Sequence, residues 1–126
     1  MMLVLAVFAG GVAGAPARYL IDSFVKKRAG TALPWGTLAV NVIGSAVLGV
    51  LMGMTSNGAL PHAVLSLVGT GFCGALTTFS TFSTDTYKLL AAGSTGRALV
   101  NIGMNLVLGV AAVCLCYLLG AALTRP

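Results

Sequence analysis

Charge is what this sequence has least of. Only 7% of its 126 residues are charged, against about 25% in an average soluble domain. So few charges cannot make a water-soluble surface, and a soluble globular protein is excluded. Carboxylates are scarcest, with Asp22 and Asp85 alone. Neither stands in the middle of an apolar run, whereas a proton-coupled carrier relies on an ionisable residue inside the membrane. Hydrolysis by Ser or Thr needs a base beside the nucleophile, and none is apparent. The sole histidine, His62, falls at a helix start and reads as interfacial. Cysteine is sparse and odd in number: Cys73, Cys114 and Cys116 lie inside apolar segments with no His spaced to join them, so they read as small apolar fillers rather than a metal site. Nothing basic precedes Arg18. The Ala13-Gly14-Ala15 run therefore lacks the positive start of a cleaved signal peptide.

The formal charge of +5 is no nucleic-acid footprint. The basic residues stand singly except for Lys26-Lys27-Arg28, between two apolar segments, where charge sets membrane orientation. No basic stripe interleaves with exposed aromatics, and no nucleic-acid partner is expected.

What is abundant is apolar and small. Hydrophobic residues make up 58% of the chain and glycines number 17. A spanning helix takes about 20 mostly apolar residues, and four candidates follow one another at about residues 2–21, 33–54, 61–92 and 98–123. They use nearly the whole length, so residues 1–126 form a single four-helix transmembrane domain in a multi-pass cell-membrane protein, surrounded by lipid. Pro34 suits a first helical turn and Trp35 the interface. Thr55-Ser56-Asn57-Gly58 is turn chemistry. Glycines inside the apolar runs, including Gly10-x-x-x-Gly14 and Gly49-x-x-x-Gly53, have the spacing that brings membrane helices close.

The third segment exceeds one span. Gly69, Gly71 and Gly74 followed by Thr77-Thr78 weaken a helix, which predicts a break near residues 74–78 that divides it into half-helices. The alternative is one long tilted helix with glycines for packing. The fold class expected is an all-α membrane protein of four transmembrane helices, the third broken at mid-membrane.

Polar residues inside the segments fall in stripes. Thr37, Asn41 and Ser45 follow i, i+4, i+8; Thr77, Ser80, Thr81 and Thr84 follow i, i+3, i+4, i+7; Asn101 and Asn105 are one turn apart. Phe79 and Phe82 share another face. One such stripe is explained by interhelical hydrogen bonding; three on three of the four helices favour a polar path. Asn, Ser and Thr donate hydrogen bonds, phenyl edges are electropositive, and Arg18 adds positive potential. This set suits a small anion, which must exchange its hydration shell for many close donors.

Three motifs carry a resemblance to a known family. Gly10-Gly11-x-x-Gly14-Ala15-x-x-Arg18-Tyr19 is similar to the first-helix signature of the CrcB/Fluc fluoride channels. Gly36-Thr37-Leu38-x-Val40-Asn41-x-x-Gly44 is similar to the second, and Gly71-Phe72-Cys73-Gly74-x-x-Thr77-Thr78-Phe79-Ser80-Thr81-Phe82 to the third. The resemblance covers nearly the full chain. It implies an antiparallel dimer with two pores along the interface, a fluoride path touching Asn41, Phe79 and Phe82, and an adjoining polar track with Ser80 and Thr81. It also implies a structural sodium ion, not transported, held at the dimer centre by the carbonyls of Gly74 and Thr77 from both subunits. Ala75 stands where a second Gly is common, Asp85 where Glu is frequent, and Asn101 where a Tyr often lies near the pore.

The function implied is passive export of cytoplasmic fluoride, without coupling or catalysis. A small multidrug exporter shares size and assembly but needs a central acidic residue, which the first segment lacks. A structural membrane subunit without transport is distinguished by flux from the isolated protein. Orientation is open between two forms. Four spans place Lys26, Lys27, Arg28, Lys88 and Arg97 on one side and only Arg125 on the other. The positive-inside rule then favours both termini outside, a fixed topology and a heterodimer with an oppositely oriented homologous subunit; the family default is a dual-topology homodimer. Labelling of a Ser94→Cys variant in intact cells decides. Fixed orientation predicts reaction from the cytoplasmic side only, and dual topology predicts reaction from both.

Overall fold

The computed structural model describes residues 1–125. Its elements are helices α1 (Met2–Ala29), α2 (Trp35–Ser56) and α3 (His62–Val64), a π-helical stretch (Leu65–Cys73), and helices α4 (Gly74–Leu76), α5 (Phe79–Ala91) and α6 (Thr95–Leu123). Among the described residues there is no strand. Four stretches are long and apolar enough to cross a membrane: Met2–Ala29, Trp35–Ser56, His62–Ala91 and Thr95–Leu123. Helices suit that setting because they satisfy their own backbone groups where no water can. Large apolar side chains such as Val4, Phe8, Val107 and Leu115 point outward, and among the described residues the buried apolar set is Leu38, Val40, Cys73, Leu76 and Ala98.

Close backbone approach, rather than a large apolar core, holds the helices together. A Cβ at Gly49 would come within 2.5 Å of the Val113 carbonyl oxygen on α6, and one at Gly53 would collide with that of Tyr117. On the other side, a Cβ at Gly71 would meet the Val7 carbonyl at 2.5 Å. Both small-residue pairs of the sequence, Gly10/Gly14 and Gly49/Gly53, are buried at these contacts. Small residues serve this purpose in lipid, where packing rather than the hydrophobic effect drives helix association.

Two boundaries differ from expectation. Helix α1 does not end near residue 21 but continues to Ala29, taking in the basic cluster. Lys26 pairs with Asp22 one turn earlier at 2.6 Å, and cations in a last turn complement the helix dipole. Gly30, at φ 78°, ends the helix. Helix α2 runs through Ser56, so the turn begins at Asn57 and not at Thr55. The Asn57 side chain donates to the Ala121 carbonyl at 2.8 Å and to Thr124 Oγ1 at 3.1 Å, fastening this turn to the end of α6.

The stretch that positions the site is His62–Ala91. Its π-helical part closes with the Gly74 N–H bonded to the Gly69 carbonyl. The Thr77 N–H still bonds to the Cys73 carbonyl at 2.9 Å. The chain then leaves helical geometry, with Thr77 at ψ 156° and Thr78 at φ −150°, ψ 122°. Helix α5 restarts at Phe79, with Thr78 as N-cap accepting from the Thr81 N–H. Helical spacing therefore does not carry across residues 77–78, and Thr77 does not share a face with Ser80, Thr81 and Thr84. Instead its hydroxyl donates to the Cys73 carbonyl at 3.0 Å, and its methyl packs where a Cβ at Gly44 would stand.

The packing account predicts a contrast between two glycines. Gly53→Leu drives a side chain into the α6 backbone, where overpacking costs about 1–3 kcal/mol or more, whereas a Cβ at Gly96 meets nothing within 4 Å. Thermal unfolding of the purified protein in detergent should fall sharply for Gly53→Leu and remain near wild type for Gly96→Leu.

Candidate functional site

Beside the non-helical residues lies a cavity of about 560 Å³. Asn41 and Ser45 reach it from α2, Phe79 and Phe82 from α5, and Asn105 from α6; Gly74, Thr77 and Thr78 supply the wall between.

Asn41 is the centre of this arrangement. Its Oδ1 accepts the Thr78 N–H at 2.9 Å and its Nδ2 donates to the Thr78 carbonyl at 3.3 Å. The same Nδ2 donates to Asn105 Oδ1 at 3.0 Å. The side-chain amide thus pairs with the extended residue as a neighbouring strand would, and satisfies both of its main-chain groups.

This pairing has a consequence for two carbonyls. In an unbroken helix the Gly74 carbonyl would take the N–H of Thr78, four residues on; that N–H goes to Asn41 instead. The Thr77 carbonyl would take the N–H of Thr81, which goes to Thr78 Oγ1 at 3.2 Å. Both carbonyls are released from helical bonding. Gly74 is also exposed, and nothing else in the chain comes within 4 Å of a Cβ placed there.

Phe79 and Phe82 pack as a tilted pair, ring centroids 5.7 Å apart at 47°. Phe79 is 79% exposed and projects from the chain, while Phe82 is half-buried. The two rings, the Ser45 and Thr70 hydroxyls and the Asn41 and Asn105 amides line the cavity, with no formal charge on its wall.

Of the residues singled out in the sequence, the structure gathers Asn41, Phe79, Phe82, Gly74 and Thr77 at this cavity. Ser80 and Thr81 lie in the first turn of α5, off the wall: Thr78 Oγ1 is 3.3 Å from Ser80 Oγ and donates to Thr81 Oγ1 at 3.1 Å. Thr37 is buried elsewhere, donating to Asp85 Oδ2 at 2.8 Å. Asp85 in turn borders a second cavity of about 310 Å³ together with Lys26 and Lys88. Arg18 is half-buried on α1 and lies on the wall of neither cavity.

Thr78 and Asn105 hold the site together; Asn105 belongs to one of the polar stripes of the sequence, whereas Thr78 belongs to none. A Thr directly before a restarting helix is an N-cap signal. It was hidden by treating residues 77–84 as one helical face. Among the described residues no cluster of three His, Cys, Asp or Glu side chains is placed to hold a metal ion. The cavity's chemistry is that of neutral donors and ring edges.

The family model described as CrcB-like protein, Camphor Resistance (CrcB), matches residues 5–117. The chain belongs to the CrcB family. A relative in Nocardia farcinica, named Fluoride-specific ion channel FluC 1, is 52% identical over 107 residues, which is 85% of this chain and 72% of the relative. One of the same name in Frankia casuarinae is 45% identical over 126 residues, covering 96% and 95%. A Fluoride-specific ion channel FluC of Methanocaldococcus jannaschii is 50% identical over 98 residues, covering 78% and 77%. This CrcB protein is a multi-pass membrane protein and not an enzyme.

The cap at Thr78 is testable. Thr78→Val removes the hydroxyl that accepts from Thr81 and should cost about 1 kcal/mol, visible as a lower unfolding midpoint. Thr78→Ser keeps the oxygen and should keep the midpoint.

Proposed function

We propose that this protein is a fluoride-selective channel through which cytoplasmic fluoride leaves by passive electrodiffusion. One observation carries the reading: a cavity framed by the Asn41 amide and the Phe79–Phe82 pair, without formal charge on its wall, in a CrcB-family chain. Neutral donors and ring edges replace part of a small anion's hydration while leaving it free to move on, which is what conduction requires. Hydrogen fluoride crosses lipid as the neutral acid and dissociates inside, so an exit for the anion lowers fluoride toxicity.

The finer architecture belongs to the same proposal. Thr77 and Thr78 are the mid-membrane break between two half-helices. Irregular backbone is tolerated there where it is buried in protein or lines a cavity. Two subunits pack antiparallel, and the exposed faces of Phe79 and Gly74 meet the partner. Phe79, 79% exposed on the isolated chain, then becomes part of a path formed between subunits. Ser80 and Thr81 extend that path as further donors, with Arg18 adding positive potential; Thr37, whose hydroxyl is given to Asp85, stays apart from it.

The residues present fit a structural sodium ion. A hard alkali cation takes neutral oxygen ligands, and the Gly74 and Thr77 carbonyls are the two released by Asn41 and by the Thr78 cap. These carbonyls from both subunits would hold the ion at the dimer centre, where it supplies positive charge and a link between the two breaks, and is not transported.

The partner is a second copy or a homologous subunit of opposite orientation. Lys26, in the last turn of α1, and Lys88, in the last turn of α5, border one cavity, so the basic ends of these helices lie at the same end of the bundle. That grouping supports fixed orientation and an unlike partner.

Liposomes holding the purified protein should release fluoride far faster than chloride, and equal release of both would contradict the proposal. Phe82→Ile keeps an apolar side chain but loses the ring edge, so flux should drop strongly with assembly intact. Gly74→Leu should leave the single chain's helix packing unchanged and reduce the dimer fraction in sodium-containing detergent solution.

A further inference from the structure

Asn101 touches neither cavity and is only 3% exposed. It stands one turn before Asn105 on α6, inside a series of hydrogen bonds that all run in one direction. Asn41 Nδ2 donates to Asn105 Oδ1 at 3.0 Å. Asn105 Nδ2 donates to Asn101 Oδ1 at 3.1 Å and to its main-chain carbonyl at 3.0 Å. Asn101 Nδ2 donates to Thr86 Oγ1 at 2.9 Å, and the Thr86 hydroxyl donates to the Phe82 carbonyl at 2.8 Å. The series starts at one residue of the ion cavity, crosses α6, and ends on the main chain of another.

A primary amide has a donor end and an acceptor end, so such a series keeps its direction only as a whole. Turning the Asn105 amide over would set its amino group against that of Asn41. The Asn41 amide could relieve this only by turning as well, which would put donor against donor at the Thr78 N–H. Unmatched polar groups are costly in so apolar a setting. At the other end, the Thr86 hydroxyl receives from Asn101 and gives to Phe82, so its direction is fixed by the same series.

We infer that Asn101 is a positioning residue for fluoride conduction. Acting with Thr86, it fixes which end of the Asn105 amide faces Asn41, and it braces the turn of α5 that carries Phe82. It does so without meeting the ion. The assignment rests on the channel reading above. A purely structural role would make Asn101 one more interhelical contact, and such contacts contribute little each. Orientation of the Asn41 amide, by contrast, decides whether both main-chain groups of Thr78, on the wall of the path, keep their partners.

The test compares fluoride efflux from liposomes containing Asn101→Leu, Asn105→Leu, the double variant, Thr86→Val and Thr86→Ser, with unfolding midpoints measured in detergent. Asn101→Leu and Thr86→Val should lower the rate several-fold with midpoints near wild type. Thr86→Ser, which keeps the hydroxyl, should retain the rate. Because Asn101 acts through Asn105, Asn101→Leu should have little further effect in the Asn105→Leu background. A wild-type rate in Asn101→Leu overturns the assignment. So does the same fold-reduction with and without Asn105, which marks an independent structural effect. Should Asn101→Leu fail to fold, the Thr86 pair decides: equal rates in Val and Ser overturn it. If the wild type itself releases no fluoride, the channel reading fails and this assignment fails with it.

Discussion

A stretch of extended backbone inside an apolar chain persists only if something satisfies its polar groups. In this protein the Asn41 amide does so, by pairing with both main-chain groups of Thr78. The rest of the site follows from that pairing. The Thr78 N–H is withdrawn from the Gly74 carbonyl, Thr78 becomes free to cap α5, and the cap withdraws the Thr81 N–H from the Thr77 carbonyl. One side chain thus stabilises the interruption, frees two carbonyls from helical bonding and starts the helix that bears both phenyl rings.

Asn41 can reach Thr78 only because the helices lie so close. Gly44 sits one turn beyond Asn41, against Thr77, in a place where a Cβ would strike the threonine methyl. Further along α2, Gly49 and Gly53 admit the α6 backbone, which carries Asn105 to the Asn41 amide. The abundance of glycine and the presence of a polar site are therefore one design. Small residues remove the side-chain bulk between helices, and the few amides and hydroxyls that remain can bond across the gap. The interior ends up small and partly polar, and the large apolar residues face outward.

Much of this was legible in the sequence. Apolar run lengths gave four spans, and the scarcity of carboxylates argued against coupled transport and hydrolysis. The i, i+4 stripes on α2 and α6 are real faces: Asn41 and Ser45 share the cavity, and Asn105 bonds back to Asn101. Other features were hidden for physical reasons. A stripe assumes one helical rise throughout, so it misplaced Thr77 once residues 77–78 adopted extended geometry. Composition also could not distinguish Thr37, drawn to Asp85, from Asn41, drawn to a main chain. Both belong to one periodic set, and only the opposing helix decides their partners. Hydropathy marks where lipid begins but not where a helix ends, so α1 ran on through its basic last turn.

The central claim is that the Asn41 amide holds the interruption at Thr78. Hydrogen exchange of the Thr78 amide, followed by NMR in membrane-reconstituted protein, tests it most directly. Asn41→Asp retains an acceptor for this N–H, whereas Asn41→Leu has none. The account predicts strong protection of Thr78 in the wild type, protection largely kept in Asn41→Asp, and protection lost in Asn41→Leu, with the amides of α2 and α6 unchanged. Wild-type protection of Thr78 in Asn41→Leu would contradict it.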